Sequence, residues 1–169
     1  MFPKTFQLFV MSTLFAAIPL FAEKEPPLET LAIKEVAERA MTLDQSKFRL
    51  KFCYRQNINQ IDSDHYWVRL FDLDSNHVCV TFPKEALNYF KKLITQEDSY
   101  KKFKDSPYYG TSSASASSIY VKAQAFTQQT KPTWWQNYTY NANPAPMLVL
   151  DAIGKSASKN ISGDSTFKW

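Results

Sequence analysis

Apolar and polar residues alternate in three consecutive segments of the first half of the chain, "KFRLKFCYRQN", "HYWVRLFDL" and "NHVCVTF". Side chains of a β-strand point alternately to opposite faces, so each segment predicts a strand with one buried and one open face. Two more strand-like runs, "SIYVKAQAF" and "PMLVLDAIG", follow near the end of the chain. The pattern therefore predicts a protein built mainly from strands.

Helical spacing appears before the first strand and after the third. "LETLAIKEVAERAMTLDQ" repeats apolar residues at intervals of three and four, which predicts an amphipathic helix of about four turns. Pro83 suits a first helical turn, and "KEALNYFKKLI" places Leu87, Phe90 and Ile94 on one stripe. "TQEDSYKKFKDSPYYG" can add a turn or two of helix. The serine-rich "TSSASASS" predicts a flexible connector, and the polar tail after Gly154 is expected to be disordered.

The second and third predicted strands are joined by a short acidic segment. Asp72, Asp74 and Asn76 alternate as the first ligands of a calcium loop do. Such a loop also needs a glycine at its sixth position and a glutamate at its twelfth, where this chain has His77 and Pro83. The segment is therefore predicted to be a tight hairpin turn rather than a metal site, with Asn76 in the left-handed conformation.

The chain opens with Lys4, an apolar run from Phe6 to Phe21, and the small residue Ala22. This order is typical of a secretory signal peptide, which predicts a leader over residues 1–22 and a protein exported to the periplasm or secreted. The run is shorter than the roughly 20 apolar residues of a membrane-spanning helix, so no span is expected after cleavage. We assign residues 23–154 to one domain and residues 155–169 to the polar tail.

The order helix, three meandering strands, helix and two strands resembles the OB-fold, the oligonucleotide/oligosaccharide-binding barrel. The resemblance covers roughly residues 28–154 and is carried by the element order, the "FDLDSN" turn and "MLVLDAIG". It implies an α+β protein with a five-stranded Greek-key barrel, an N-terminal helix and a helix between strands 3 and 4. The first strand departs from the pattern, because it has Cys53 where a glycine would ease the bend.

The strand alternation also predicts which side chains form the core. The inward residues are expected to be Phe48, Leu50, Phe52, Tyr66, Val68, Leu70, Val78, Val80, Phe82, Val121, Ala123, Leu148 and Leu150. Tyr54 alternates onto the same side of the first strand as Phe48, Leu50 and Phe52. The opposite parity then forms an open basic face with two rings, Arg49, Lys51, Arg55, Trp67, Arg69, Phe71, His77, Cys79 and Thr81. The resemblance implies binding on the outer face of strands 2 and 3, flanked by the loops "INQIDSD" and "TKPTWWQNYTYNANP".

These two features give a predicted ligand-binding set. It comprises Arg49, Arg55, Trp67, Arg69, Phe71, Trp134, Trp135, Tyr138 and Tyr140. Rings beside cations stack on bases or on sugar faces. The alternative is that the rings pack on the barrel, with Trp134 and Tyr138 as the first candidates, and that the N-terminal helix covers Trp67.

Catalytic chemistry finds little support in the sequence. His65 and His77 lie at opposite ends of the second strand and cannot share a metal. Neither a phosphate-binding glycine loop nor a nucleophile elbow is evident, so no cofactor is predicted.

Cys53 and Cys79 raise two conflicting expectations. Export favours a disulfide, but the second strand lies between the two residues in a meander. Two strand spacings make about 9.5 Å, beyond the roughly 7 Å between Cα atoms that a disulfide allows. Both outcomes stay open.

Three functions are compatible with these features. The first is an exported, non-enzymatic module that binds a protein or an envelope glycan through strands 2 and 3 and the 131–144 loop. The second is a single-strand nucleic-acid binder or a relative of an OB-fold nuclease, for which the net charge of +4 is permissive. The third is a structural or assembly subunit whose rings, 15% of all residues, are core and interface.

Overall fold

A computed structural model describes residues 27–105, 107, 117–127, 129–134 and 148–169. In that part of the chain the strands are β1 Thr30–Ala32, β2 Lys47–Phe52, β3 Tyr54–Arg55, β4 Asn59–Gln60, β5 His65–Phe71, β6 His77–Pro83, β7 Ser117–Ala125, β8 Leu148–Gly154, β9 Ser156–Lys159 and β10 Ser165–Lys168. The α-helices are α1 Ile33–Glu38, α2 Leu87–Lys92 and α3 Gln96–Phe103, and single 3-10 turns lie at Ala40–Thr42 and Lys84–Ala86. The protein is therefore a mixed α+β structure, mostly strands with short helices.

Eight of these strands form one mixed sheet in the order β1-β2-β7-β8-β6-β5-β3, with β4 also paired to β5. The β1–β2 and β6–β8 pairs are parallel, and the other pairs in the sheet are antiparallel. The predicted meander is confirmed only in part. Tyr54–Arg55 (β3) pairs with β5 and β5 pairs with β6, whereas β2, the larger part of the first predicted strand, pairs with β1 and β7.

The inward residues predicted from alternation form the main core, with one exception. Phe48, Leu50 and Phe52 are buried on β2, whereas Lys47, Arg49 and Lys51 are exposed. The predicted inward residues of β5 to β8 join the same cluster, Tyr66 as a partly buried member. Burial of these apolar side chains is the main favourable contribution to folding.

Tyr54 is the exception, because the first strand is interrupted at Cys53. The Cys53 N–H donates to the Phe71 carbonyl at 2.7 Å, and Tyr54 lies opposite Phe71. The Tyr54 and Phe71 rings stack with centroids 5.0 Å apart, in a second buried cluster that also contains Cys53. One extra residue in a strand reverses the alternation beyond it, which is how a β-bulge re-aims side chains. The expected placement of Tyr54 on the side of Phe48, Leu50 and Phe52 was therefore wrong.

The N-terminal helix is shorter than predicted. Thr30–Ala32 is a strand paired in parallel with β2, and the helix starts only at Ile33. The Glu35 carboxylate accepts the Ala32 N–H at 2.6 Å and so satisfies one donor at the helix start. Ile33 and Val36 are buried in the main core rather than over Trp67, so the expectation that this helix covers Trp67 was wrong.

Helix α2 follows β6 as predicted. Pro83 ends β6 and precedes the Lys84–Ala86 turn, and the Phe90 ring stacks on Phe82 with centroids 3.9 Å apart. Thr95 caps α3 by accepting the Asp98 N–H, so the predicted extra helix exists. Within the described residues, no helix is long and apolar enough to cross a membrane.

The acidic segment between β5 and β6 is a turn, as predicted. The Asp72 carboxylate accepts the backbone N–H groups of Asp74 and Asn76 and the Asn76 side-chain amide at 2.8–2.9 Å. Ser75, with φ of 66°, takes the left-handed conformation that was expected of Asn76. The carboxylate is thus used to hold the turn.

The tail expected to be disordered is an ordered hairpin of β9 and β10. It lies so close to β8 that a Cβ on Gly154 would be 2.8 Å from the Lys168 nitrogen. Trp169 packs against Tyr89 and Phe90 with centroids 5.7 Å away from each. Apolar contact with α2 and the close approach at Gly154 therefore order a segment whose composition is polar.

Candidate functional site: a polar groove beside strand β5

A groove of about 800 Å³ lies along one side of β5. Its walls come from β5, from the segment that follows β3, and from the start of α3. The lining residues are Arg55, Gln56, Asn57, Asn59, Trp67, Arg69, Thr95, Gln96 and Glu97. Three of the predicted binding residues, Arg55, Trp67 and Arg69, therefore meet in one groove.

Strand alternation places Trp67 and Arg69 in the groove wall. They flank the buried Val68, and both are half-buried. Asn59 of β4 lies directly opposite Trp67 and extends the wall with a side-chain amide. An indole, a guanidinium and an amide are thus presented side by side on rigid strands, which hold binding groups more accurately than a loop does.

Arg55 lines the groove from β3, the short strand that follows Cys53. Its guanidinium donates to the Gln56 carbonyl and to the Lys91 carbonyl, each at 3.2 Å. Lys91 lies in the last turn of α2, where a cation stabilises the carbonyl end of the helix. Burial lowers the pKa of Arg55. A guanidinium remains protonated under such conditions, so Arg55 contributes both a charge and a clamp between β3 and α2.

The start of α3 forms the opposite wall. The Arg55 N–H donates to the Ile94 carbonyl at 3.0 Å, which ties β3 to the residues that precede the helix. Glu97, a carboxylate in the lining, pairs with Lys101 one turn along α3 at 2.9 Å. The hydrogen bond that the Lys101 ammonium donates to Glu97 is the main cause of the raised pKa of Lys101. The carboxylate is thus engaged within its own helix.

Trp134 packs against Trp67 instead of standing apart from the sheet. The two indoles are stacked with centroids 5.7 Å apart and an angle of 25° between their planes. They share a cluster with Phe126, Cys79 and Val149. Trp134 therefore packs on the sheet, which was the alternative to its role as an exposed binding residue. Trp135, Tyr138 and Tyr140 lie outside the described residues.

Phe71 was wrongly expected on the open face. It is 7% exposed and is covered by Tyr54, with His77 tilted against it at 5.2 Å. Burial is the main cause of the lowered pKa of His77, and the charge of Arg69 adds to it. Phe71 is thus a packing residue beside the groove.

Arg49 is separated from the other predicted cations. It lies on the exposed side of β2, where its Nε donates to the Ser118 hydroxyl at 2.8 Å and its guanidinium lies 6.0 Å from the Tyr120 ring centroid. It does not belong to the groove lining. The basic surface expected to be continuous is therefore divided between two places on the sheet.

The two cysteines are buried in different clusters and are not joined in a disulfide. Cys79 lies opposite Arg69 in the β5–β6 pairing, and Cys53 contacts the other edge of β5 through the Phe71 carbonyl. The intervening strand thus keeps them apart, as the meander geometry required.

Six lining residues were absent from the predicted set, namely Gln56, Asn57, Asn59, Thr95, Gln96 and Glu97. The polar run "QNINQ" after the first strand was a usable signal for the first three. No local sequence signal predicts that Thr95, Gln96 and Glu97 lie near β3, because that contact depends on the hydrogen bond between Arg55 and Ile94, which are far apart in the chain. In the described ranges, no three His, Cys, Asp or Glu side chains come together as a metal site.

Comparison with known proteins assigns no family. No protein-family model and no curated protein matches the chain. Its structure is similar to that of a putative aspartyl-tRNA synthetase from Leishmania major Friedlin, with 12% identity and a TM-score of 0.39. The similarity covers 75% of this chain and 20% of that chain. A likeness of this strength carries no argument about fold or function.

Proposed function

We propose that this chain is an exported, non-enzymatic binding module whose OB-type barrel is closed by residues 47–55. Support for closure comes from the strand pairing. The first half of this segment, β2, pairs with β7, and the second half, β3, pairs with β5. One segment thus bonds to strands far apart in the sheet order, and the interruption at Cys53 supplies the bend that the missing glycine would have eased.

The proposed ligand is an extended glycan of the cell envelope, bound in the groove beside β5. The observation that carries this proposal is the meeting of the Trp67 indole with two guanidinium groups and several side-chain amides in one groove. A sugar ring offers an apolar face to an indole, and its hydroxyl groups pair with the donors and acceptors of planar amides and guanidinium groups. A protein interface would instead centre on apolar side chains.

Export to the periplasm or the exterior is part of the proposal and depends on the predicted leader in residues 1–22. An envelope glycan and such a leader are mutually consistent, whereas single-stranded nucleic acid is less abundant outside the cell. Nucleic acid remains the runner-up ligand, because Trp67 and Arg69 could equally stack on and pair with a base.

The test is a titration of the protein with soluble oligosaccharides released from a bacterial envelope and, separately, with a short oligonucleotide. Binding would be followed by calorimetry. Asn59→Ala should weaken glycan binding about tenfold, because loss of one well-formed hydrogen bond costs about 1.4 kcal/mol. Asn88→Ala, an exposed amide on α2 outside the groove, is the matched control and should bind as the wild type does.

Three results would contradict the proposal. One is an equal effect of Asn59→Ala and Asn88→Ala, which would place the ligand elsewhere. Another is saturable binding of the oligonucleotide with a steep salt dependence and no binding of any glycan, which would favour the nucleic-acid reading. The last is absence of binding to both, together with self-association, which would favour a structural subunit.

A further inference from the structure

A second surface of the sheet carries cations on two adjacent strands. Lys47, Arg49 and Lys51 are exposed at alternate positions of β2, and Lys122 of β7 lies directly opposite Lys47. We call these four residues the β2–β7 basic patch. Alternate residues of a strand are about 6.6 Å apart and neighbouring strands about 4.8 Å apart, so the four charges spread over an area rather than along a line.

Some cations on or next to the helices are ion-paired, unlike those of the patch. Lys34 pairs with Glu38, Arg39 with Glu29 and Lys101 with Glu97. In the described part of the chain, no such ion pair involves a residue of the patch. Like charges directly opposite each other on two strands are destabilising, so the Lys47–Lys122 placement is unfavourable without an anionic partner.

Two nearby carboxylates reduce this repulsion only in part. The charge of Lys122 contributes to the lowered pKa of Asp44, whose main cause is the hydrogen bond from the Ala125 N–H. Asp151 lies opposite Lys122 on β8, but its carboxylate accepts the Thr81 hydroxyl. Hydrogen bonds from neutral donors leave both carboxylates charged, but four cations against two acids still leave the patch basic.

Half-buried rings lie beneath these cations. The Lys47 ammonium is 5.8 Å from the Phe167 ring centroid, and the Arg49 guanidinium is 6.0 Å from that of Tyr120. The two rings touch, with centroids 5.4 Å apart. This arrangement holds the charged groups outermost, over the ring faces, where they can reach lipid phosphates. It suits bases less well, because the cations occupy the ring faces on which bases would stack.

Two segments that connect to this surface carry exposed aliphatic side chains. Ile161 is fully exposed in the turn of the β9–β10 hairpin that supplies Phe167, and Met41, 82% exposed, precedes β2 by a few residues. Peripheral proteins combine such side chains with cations when they bind anionic lipid.

We propose that the β2–β7 basic patch docks on the surface of an anionic phospholipid bilayer. Docking uses a face of the sheet separate from the groove and does not depend on the proposed glycan. It would hold the protein at the envelope surface by charge attraction between the four cations and the lipid phosphates, and the exposed Ile161 would add apolar contact.

The test measures partition of the full chain into vesicles of phosphatidylglycerol mixed with phosphatidylcholine and into vesicles of phosphatidylcholine alone. The readout is the ratio of the two partition coefficients, because any contribution of the apolar residues 6–21 is common to every variant and to both lipids. Each cation near an anionic surface contributes about fivefold to partition. The triple variant K47Q/K51Q/K122Q should therefore lower the ratio about a hundredfold.

The matched control is K91Q/K92Q/K104Q, which removes the same charge from exposed positions of α2 and the end of α3. It should keep the wild-type ratio, and I161N should weaken binding without changing its salt dependence. An equal effect of the two triple variants would overturn the proposal, as would a wild-type ratio near one. Binding of oligo(dT) through the same lysines without any preference for anionic vesicles would also overturn it and would identify a nucleic-acid surface.

Discussion

Replacing Trp67 and Trp134 separately and together tests how the ring-rich loop joins the sheet. Both indoles are half-buried and stacked on each other. A half-buried tryptophan hides about 100 Å², which at about 25 cal/mol per Å² makes each alanine variant less stable by about 2–3 kcal/mol. The stacked geometry should add a coupling free energy of about 0.5–1.5 kcal/mol, so the double variant should lose less than the sum of the single losses.

The assay is urea unfolding followed by far-ultraviolet circular dichroism, because the substitutions remove fluorescent residues. A second cycle with Trp67→Ala and Trp169→Ala is the control. Trp169 packs on Tyr89 and Phe90, away from the cluster of Trp67, so those two losses should add within about 0.4 kcal/mol.

Additive losses for Trp67 and Trp134 would refute this reasoning. Trp134 would then be free of Trp67 in solution, and the loop would be available as a mobile rim for the groove. Coupled losses would instead mean that this ring supports the groove wall from behind and does not itself bind a ligand.

Other changes test the turn, the tail and the buried histidine. Asp72→Ala leaves the Asn76 donors without their acceptor and should lower the free energy of unfolding in urea by about 1–3 kcal/mol. The control is Asp74→Ala at an exposed position, and an equal loss of stability in the two variants would contradict the turn geometry. Gly154→Ala places a Cβ against the Lys168 backbone and should release the C-terminal hairpin from β8. Amide hydrogen exchange in residues 156–168 should then be faster. Unchanged exchange would show that β8 shifts instead. The folded-state pKa of His77 lies below its unfolded value, so the unfolded state binds the proton more readily and stability falls as pH drops from about 7.5 to about 5.5. His77→Gln should reduce this fall in melting temperature, and an identical fall in the variant would contradict the burial of His77.

The strands and core could be predicted because alternation is a local property of the sequence. Val68 and Leu70 are buried, as are Val78 and Val80, where the period of two placed them. The turn at Asp72 was equally local, since its hydrogen bonds join residues at most four positions apart. Helical periodicity was less reliable at Thr30–Ala32, where pairing with β2 replaced the first predicted turns.

The candidate site was predicted only in part. Trp67 and Arg69 followed from the parity of β5, but Phe71 on the same parity is covered by Tyr54. Arg49 followed the same rule and belongs to a different surface. The alternation along a strand predicts the face of the sheet on which a side chain lies. It does not predict which other residues pack on that face.

The sequence by itself determined the longer strands β2, β5, β6, β7 and β8, the side chains that they bury and the reversal of the chain between β5 and β6. Only the tertiary structure decided the interruption at Cys53, the approach of α3 to Arg55 and the ordering of the C-terminal hairpin. The physical reason is range: alternation and turn chemistry act between residues a few positions apart. The hydrogen bonds and ring contacts that fix those three features join residues far apart in the chain. These residues come close together only once the sheet has formed.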